Sequence, residues 1–259
     1  YTGTGGVGTA ITLYLGLSAG TNTMIAPAPS SGRIADTADS YEFIVQNFTN
    51  GTNPQSGTAT DNSSGKIAVI EPVRVTATVA PSITFKIEGV AASTSVCNGL
   101  TTDVLTTGTA VPFGDLILDT FKVAAQKMTV STNAASGYVV TAIQNNRMSN
   151  LAVSPSYIPD TTCDTGTCTH TTSAAWATAA AHSGFGYTTY IAAGGGTPTI
   201  APTAPNYQHF PNAASEEAPF QIMSNTTIAS SQAINVCYKI AVDATQPAGN
   251  YENQVTYTA

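Results

Sequence analysis

Apolar and polar residues alternate near the start of the chain. Between residues 7 and 17 the large aliphatic side chains all fall on one face of an extended strand, and small or polar residues fall on the other. Those aliphatic positions are Val7, Ile11, Leu13, Leu15 and Leu17. A period of two predicts a half-buried strand over 7–17. A glycine-rich lead precedes it and a linker follows over 18–36, so this strand can pair with its own domain or with a neighbouring molecule.

The same alternation recurs downstream, punctuated by Gly, Pro and Asn. It predicts strands at 40–47, 67–79, 83–87, 111–118, 126–132, 138–143, 184–191, 219–223, 234–242 and 251–258. Only 174–181 has the composition of a helical turn. Many short strands with almost no helix predict an all-β fold, an antiparallel immunoglobulin-like or jelly-roll sandwich.

The predicted organisation is an N-terminal extension over 1–36 and a single β-sandwich domain over 37–259. Within that domain, residues 147–217 are rich in proline and hold all three histidines and the single tryptophan. They lack the apolar periodicity of an independent core, so we expect a long, loop-rich insertion at one end of the sandwich.

The strand at 234–242 has two different faces. Its core face is expected to carry Ile234, Val236, Tyr238, Ile240 and Val242. Cys237 and Lys239 then point the opposite way. A bridge to Cys237 should therefore lie outside the main core or between this strand and a covering loop.

Composition narrows the classes of function. Charged residues make up 9% of the chain, against about 25% in typical soluble domains. The net charge is −7 and the eight basic residues are scattered, which argues against binding nucleic acid or anionic membranes. No apolar run is long enough to span a bilayer. The chain begins without Met, and we expect a secreted, cell-surface product whose leader has been removed.

The four cysteines suggest an oxidising compartment. We predict a local bridge between Cys163 and Cys168 and a long-range bridge between Cys97 and Cys237. Zinc is the rival interpretation, but a C-x₄-C spacing without a second pair is weak support for it.

Other candidate chemistry is sparse. The glycines at 3–8 match G-x-G-x-x-G, but a strand follows them where a nucleotide site needs a helix. The three histidines, His170, His182 and His209, lie far apart in the sequence, and Glu216-Glu217 is typical of a solvated loop. Calcium at Asp119, Asp160 and Asp164 is disfavoured because no calcium-loop spacing is present. We expect no enzymatic activity and assign no catalytic residue, metal or cofactor.

Two features are compatible with a surface protein. The insertion carries Trp176, Tyr187, Tyr190, Tyr207 and Phe210, which form either a sugar-stacking platform or, as we favour, packing against the sheet. Candidate N-glycosylation acceptors are Asn47, Asn50, Asn62 and Asn225.

Three short stretches resemble secreted pilin-type proteins. These are Val111-Pro112-Phe113-Gly114, the hairpin-like 128–138 (MTVSTNAASGY) and 247–258 (PAGNYENQVTYT). The last resembles the terminal strand of the spore coat protein U and archaic chaperone–usher pilin group, and WxL-type surface sandwiches end similarly. The resemblance implies an incomplete immunoglobulin-like sandwich whose groove takes the N-terminal strand of the next subunit. The aliphatic positions of 7–17 would be the donor side chains.

These observations predict a structural subunit of an extracellular filament whose partners are copies of itself. The alternative is a monomeric or surface-layer adhesin that binds cell-surface glycans through 147–217. Burying the donor side chains alone does not offset the entropy of ordering the strand. Donation therefore requires an acceptor that offers backbone hydrogen bonds on two open edges.

Overall fold

The computed structural model describes residues 29, 34, 37–48, 59–70, 73–150, 152–153 and 156–259. This part of the chain consists mainly of antiparallel β-sheets, which confirms the predicted all-β sandwich class. Its contacts divide the chain into two compact units, 1–78 and 79–259. The expected single domain over 37–259 spans both units, with residues 37–78 in the first.

The first unit contains an antiparallel hairpin of β1 (Asp39–Phe48) and β2 (Ala59–Val69). The sequence predicts β1 but places most of β2 in a loop, because its Asn, Ser and Gly residues have low strand propensity. Pairing overrides that propensity. Phe43 lies opposite Gly65, and a Cβ at Gly65 would come within 2.5 Å of the Phe43 ring. The absent side chain lets the ring cover the neighbouring strand.

The second unit holds the remaining described strands. In chain order they are β3 (Ile83–Gly89), β4 (Ser95–Val96), β5 (Leu100–Thr101), β6 (Lys122–Thr132), β7 (Tyr138–Gln144), β8 (Met148–Asn150), β9 (Tyr157–Ile158), β10 (Ala174–Ala175), β11 (Gly184–Ile191), β12 (Thr199–Ile200), β13 (Asn206–Tyr207), β14 (Phe220–Asn225), β15 (Ala229–Ala241), β16 (Tyr251–Glu252) and β17 (Val255–Thr258). A short 3₁₀ helix, η1, spans Ala213–Ser215.

Two four-stranded sheets form the sandwich. The first sheet has the order β11-β15-β6-β3 and the second has the order β12-β14-β7-β17. The main core lies between them. Its fully buried side chains include Met128, Val130, Val140, Ala142, Ile222, Met223, Ile234, Val236 and Ile240. The predicted core face of 234–242 is confirmed, since Tyr238 and Val242 belong to the same cluster.

A stack of aromatic rings extends the core. Tyr187 of β11 and Phe210 lie parallel with ring centroids 3.9 Å apart, and both side chains are fully buried. The Tyr187 hydroxyl accepts a hydrogen bond from Gln208 Nε2 at 2.9 Å. Such stacked pairs contribute about 0.5–1.5 kcal/mol beyond the area that they bury. Residues from the expected insertion thus form part of the central core.

Both predicted disulfides are present. The Cys97–Cys237 bridge connects β15 to the turn after β4, and it packs with Ala125 in a small cluster separate from the main core. This is the outer face that the alternation of β15 predicts. The Cys163–Cys168 bridge closes a local loop in a second small cluster that includes Trp176 and Tyr207.

Lys239 is buried among aromatic rings on this outer face, with only 6% of its surface exposed. Its Nζ donates a hydrogen bond to the Trp176 carbonyl. It also lies 3.9 Å from the ring centroid of Phe121 and 4.3 Å from that of Tyr207. Burial lowers the pKa of Lys239 to about 8, and the nearby Asp164 carboxylate partly opposes that shift.

Four further predictions about secondary structure need correction. Residues 111–118 form no strand, although Val111, Phe113 and Leu116 pack on the main core. Residues 174–181 contain β10 and a turn but no helix, because Ala174 and Ala175 pair with β13. The described part of 70–79 forms no strand. Finally, 147–217 is more than loops, since β11 pairs along its whole length with β15.

The burial of Lys239 predicts an unusual pH dependence of stability. Because folding lowers its pKa from 10.5 to about 8, the unfolded chain holds more protons between those values. Stability should therefore rise with pH, by about 1 kcal/mol between about pH 7.5 and 9. Urea unfolding at the two pH values should show this rise in the wild type. It should be absent in Lys239→Met.

The matched control is Lys127→Met, which removes a lysine from the adjacent strand β6. This variant should keep the wild-type rise. An equal rise in Lys239→Met would show that another group is responsible. The higher pH of this comparison is kept below about pH 10, because tyrosines of the unfolded chain ionise there and stability falls.

Candidate functional site

The sandwich is closed on one side and open on the other. On the closed side, the backbone N–H of Thr189 in β11 donates to the Pro202 carbonyl at 2.9 Å, and the Ala204 N–H donates to the Thr189 carbonyl at 3.1 Å. On the open side, β3 ends the first sheet and β17 ends the second. Within the described second unit, each of these two edge strands has a single strand partner.

A groove lies between these two edges and is called here the β3/β17 groove. Its volume is about 630 Å³. Its floor is formed by side chains of the main core, Ile87, Phe113, Phe185, Tyr238 and Tyr257. Glu252, Asn253 and Gln254 form a polar rim. The groove thus reaches from solvent to the hydrophobic interior.

The polar atoms in the floor are paired with one another. The Tyr238 and Tyr257 hydroxyls lie 2.6 Å apart, and the Tyr238 hydroxyl donates to Gln126 Oε1 at 2.5 Å. Gln126 Nε2 donates in turn to the Thr107 carbonyl at 2.6 Å. Burial raises the pKa of Tyr257 well above its ordinary value and also raises that of Tyr238. The floor is therefore uncharged at neutral pH, and its aromatic rings are mostly buried, with Phe113, Phe185 and Tyr238 8%, 4% and 2% exposed.

The segment 104–118 forms one wall of the groove. The ring of Phe113 packs edge-on against Phe185, with centroids 6.2 Å apart. The Thr106 N–H donates to the carbonyl of Val90, the residue after β3, at 3.0 Å, and the Val90 N–H donates to the Thr106 hydroxyl at 2.8 Å. A Cβ at Gly108 would lie 2.6 Å from the Ile87 carbonyl oxygen. This wall therefore covers the C-terminal end of β3. The edge at Ile83–Lys86 is left without a strand.

The predicted donor strand 7–17 lies outside the described residues. A second alternating segment, 73–79, is described and has no strand partner there. Its valines, Val73, Val75 and Val79, are 88%, 88% and 83% exposed. Isolated exposed valines are ordinary, but three on one face of an extended segment form an apolar stripe.

Asn133 fixes the backbone between this stripe and β3. Its Oδ1 accepts from the Ser82 N–H at 2.7 Å, and its Nδ2 donates to the Ala80 carbonyl at 3.1 Å. The Thr132 hydroxyl also donates to the Ser82 carbonyl at 2.8 Å. These bonds attach residues 80–82 to the end of β6. Among the described residues, no strand immediately before β3 pairs with it as a hairpin.

The aromatic residues considered for sugar stacking are mostly internal. Trp176, Tyr187 and Tyr207 have 2%, 0% and 3% of their surfaces exposed, so their faces pack against protein. Trp176 Nε1 also donates to the His182 carbonyl at 2.8 Å. Phe210 is fully buried as well, so only Tyr190 among the five aromatic candidates is substantially exposed. This corrects the sugar-platform interpretation and agrees with the favoured one, packing within the domain.

The glycosylation candidates differ in setting. Asn62 is exposed on β2, whereas Asn225 at the end of β14 is half-buried and accepts a hydrogen bond from the Thr227 N–H. Asn47 lies in β1, and Asn50 falls outside the described residues.

The three aspartates considered for calcium do not gather in the described structure. The Asp160 carboxylate accepts from Gln144 and lies 3.3 Å from Arg147 Nε, while that of Asp164 accepts from the N–H groups of Ala177 and Thr178.

The fold brings together residues that are distant in sequence. The side chains of His170, His209 and Glu217 lie within ligand distance of one another. The sequence placed these residues in separate loops, and their spacing matches no metal motif. His182 does not belong to the cluster. Only the tertiary structure reveals this arrangement.

Comparison of the chain with protein-family models, curated proteins and solved structures gives no match. Among the described residues, no helix is long and apolar enough to cross a membrane.

The hydroxyl pair in the groove floor predicts a measurable contribution to stability. Tyr257→Phe removes the hydroxyl that contacts Tyr238 and leaves the ring in place. We expect the free energy of unfolding to fall by about 1 kcal/mol. Chemical denaturation of the two proteins measures this change.

Tyr190→Phe is the control, because the exposed Tyr190 lies away from the groove floor. It should change stability by less than about 0.5 kcal/mol. Equal effects of the two substitutions would contradict a specific role for the Tyr238–Tyr257 pair.

Proposed function

We propose that this chain is a structural subunit of an extracellular filament. The strand 7–17 of one copy would insert into the β3/β17 groove of the next. The observation that carries this proposal is the open side of the sandwich. There, among the described residues, β17 and the Ile83–Lys86 part of β3 have no second strand partner, and side chains of the core form the floor of a groove. A subunit with this arrangement is completed by a strand from another molecule.

An extended strand suits this groove better than a small ligand does. A strand between β3 and β17 would form ladder hydrogen bonds on both of its edges, which satisfies the two-edge requirement set by the entropy of ordering. Its alternate side chains would face the rings of Phe113, Tyr238 and Tyr257. The aliphatic face of 7–17 provides Leu13, Leu15 and Leu17 for that position.

Strand donation of this kind is head-to-tail. The donor and the acceptor are different surfaces of the same chain, so each added copy presents a new open groove or a new free strand. Such heterologous contacts give open filaments unless the rotation between copies closes a ring. The two disulfides support an oxidising, extracellular location, because such bridges rarely persist in the cytosol.

The segment 73–79 is a second candidate donor. Its exposed valines alternate as a donor strand requires, and it lies just before β3. Its side chains are smaller than the leucines of 7–17, which is why the longer aliphatic strand remains the proposed donor. Polymerisation by strand donation holds with either segment, and substitution distinguishes the two.

Charge substitutions in the full chain test the donor. Leu13→Asp/Leu15→Asp should abolish filaments seen by negative-stain electron microscopy, because the carboxylates would have to enter the apolar groove. Thr12→Asp/Tyr14→Asp places the same charges on the opposite face and should leave filaments intact. If only Val73→Asp/Val75→Asp prevents assembly, 73–79 is the donor.

A bulky substitution tests the acceptor. Ala110 is exposed on the groove wall, so Ala110→Trp should obstruct the groove without disturbing the core, whereas Ala110→Ser should not obstruct it. In a mixture of Ala110→Trp and Leu13→Asp/Leu15→Asp, only the strand of the first protein and the groove of the second can still pair. Light scattering should therefore detect dimers but nothing larger. Filaments formed by Ala110→Trp alone, or by both donor variants, would refute strand donation.

A further inference from the structure

Three loops of the second unit converge on a cluster of two imidazoles and a carboxylate. His170 follows the Cys163–Cys168 loop, His209 follows β13, and Glu217 follows η1. One ligand atom from each lies within 4.8 Å of the other two. We propose that His170, His209 and Glu217 form a zinc-binding site. This inference is independent of the filament proposal.

The cluster has the geometry of a site before metal binding. His170 Nδ1 lies 3.2 Å from Glu217 Oε1, and the two imidazole centroids are 6.0 Å apart. Zinc binds imidazole nitrogen at about 2.0–2.1 Å and carboxylate oxygen at about 2.0–2.2 Å. Small side-chain rotations would bring the three atoms to one tetrahedral centre, and the fourth position would remain for water or another ligand.

Surrounding hydrogen bonds orient the ligand atoms. His209 Nδ1 lies 2.9 Å from the Phe210 carbonyl oxygen, which can only accept, so Nδ1 carries the proton and Nε2 has a free lone pair. Glu217 Oε2 accepts from the Asn212 N–H at 2.8 Å, which leaves Oε1 directed to the cluster. Protein metal sites commonly fix their histidine and carboxylate ligands in this way.

His170 provides the second, independent observation. Its Nδ1 is buried and has no hydrogen-bond partner, because the approach of Glu217 Oε1 lacks hydrogen-bond geometry. Gln208 Nε2 donates to the His170 carbonyl at 2.7 Å and holds this loop against the core. A buried imidazole nitrogen without a partner is costly, and a metal ion would satisfy it.

The ligand set selects the class of metal. Two imidazoles and one carboxylate suit zinc, whereas calcium and magnesium prefer sites built from oxygen ligands. All three ligands lie within 147–217, the region expected to be a loop-rich insertion. The bound ion would connect three loops that strand pairing does not hold together.

Zinc titration of the full-length protein tests the site. With ZnCl₂ and a competing chromogenic chelator, we expect about one tight site per chain and a higher melting temperature with zinc than with a metal chelator present. His170→Ala, His209→Ala and Glu217→Gln should each weaken binding by at least about tenfold. His182→Ala removes the remaining histidine and should bind zinc as the wild type does.

X-ray absorption of the zinc-loaded wild type gives a readout that does not depend on how well a variant folds. It should show two imidazole ligands with the remaining ligands oxygen. Absence of tight zinc binding would overturn the proposal and leave a His170–Glu217 ion pair. Equal weakening by His182→Ala, or a spectrum without imidazole, would also overturn it.

Discussion

The register of β15 is the constraint on which most of the second unit depends. This strand is central in its sheet and is buried on both faces, with Ile234, Val236 and Tyr238 directed to the main core and Cys237 and Lys239 directed outward. Because side chains alternate, a shift of one residue against β6 would exchange these sets. A lysine and a cysteine would then enter the aromatic core, and the disulfide would be lost. The Cys97 bridge therefore fixes the same register that the core requires.

Central strands of the sandwich are fully paired, while its open edges are not. Natural sheets usually protect such edges with charges, bulges or covering loops. Here the 104–118 wall covers one end of β3, and the remaining edge faces a groove whose floor is the core itself. Tyr238 connects the two features, because it belongs both to the central strand and to the groove floor. A strand from another copy would protect both edges and cover those rings, which is the physical argument for polymerisation.

Sequence reasoning succeeded where the pattern was local and failed where partners were distant. Alternation predicted the two faces of β15, and the even cysteine count led to both disulfides. The polar strand β2 was missed because its pairing with β1 outweighs its composition. Apolar and polar residues alternate over 111–118 as in a strand, but this segment forms part of the groove wall, where the Phe113 ring packs against Phe185. The cluster of His170, His209 and Glu217 leaves no spacing signal, because three loops contribute one ligand each.

The region 147–217 shows how a long segment can belong to a core. Ordering a long connection costs more conformational entropy than ordering a short one, so cross-links along its length are stabilising. The Cys163–Cys168 bridge closes one loop, the Asp164 carboxylate binds the backbone at Ala177 and Thr178, and Lys239 binds the Trp176 carbonyl from β15. This disulfide and these hydrogen bonds all lie on the outer face of the first sheet. The loops that carry His209 and Glu217 lack such a covalent link, and a zinc ion held with His170 would tie them to the disulfide-closed loop.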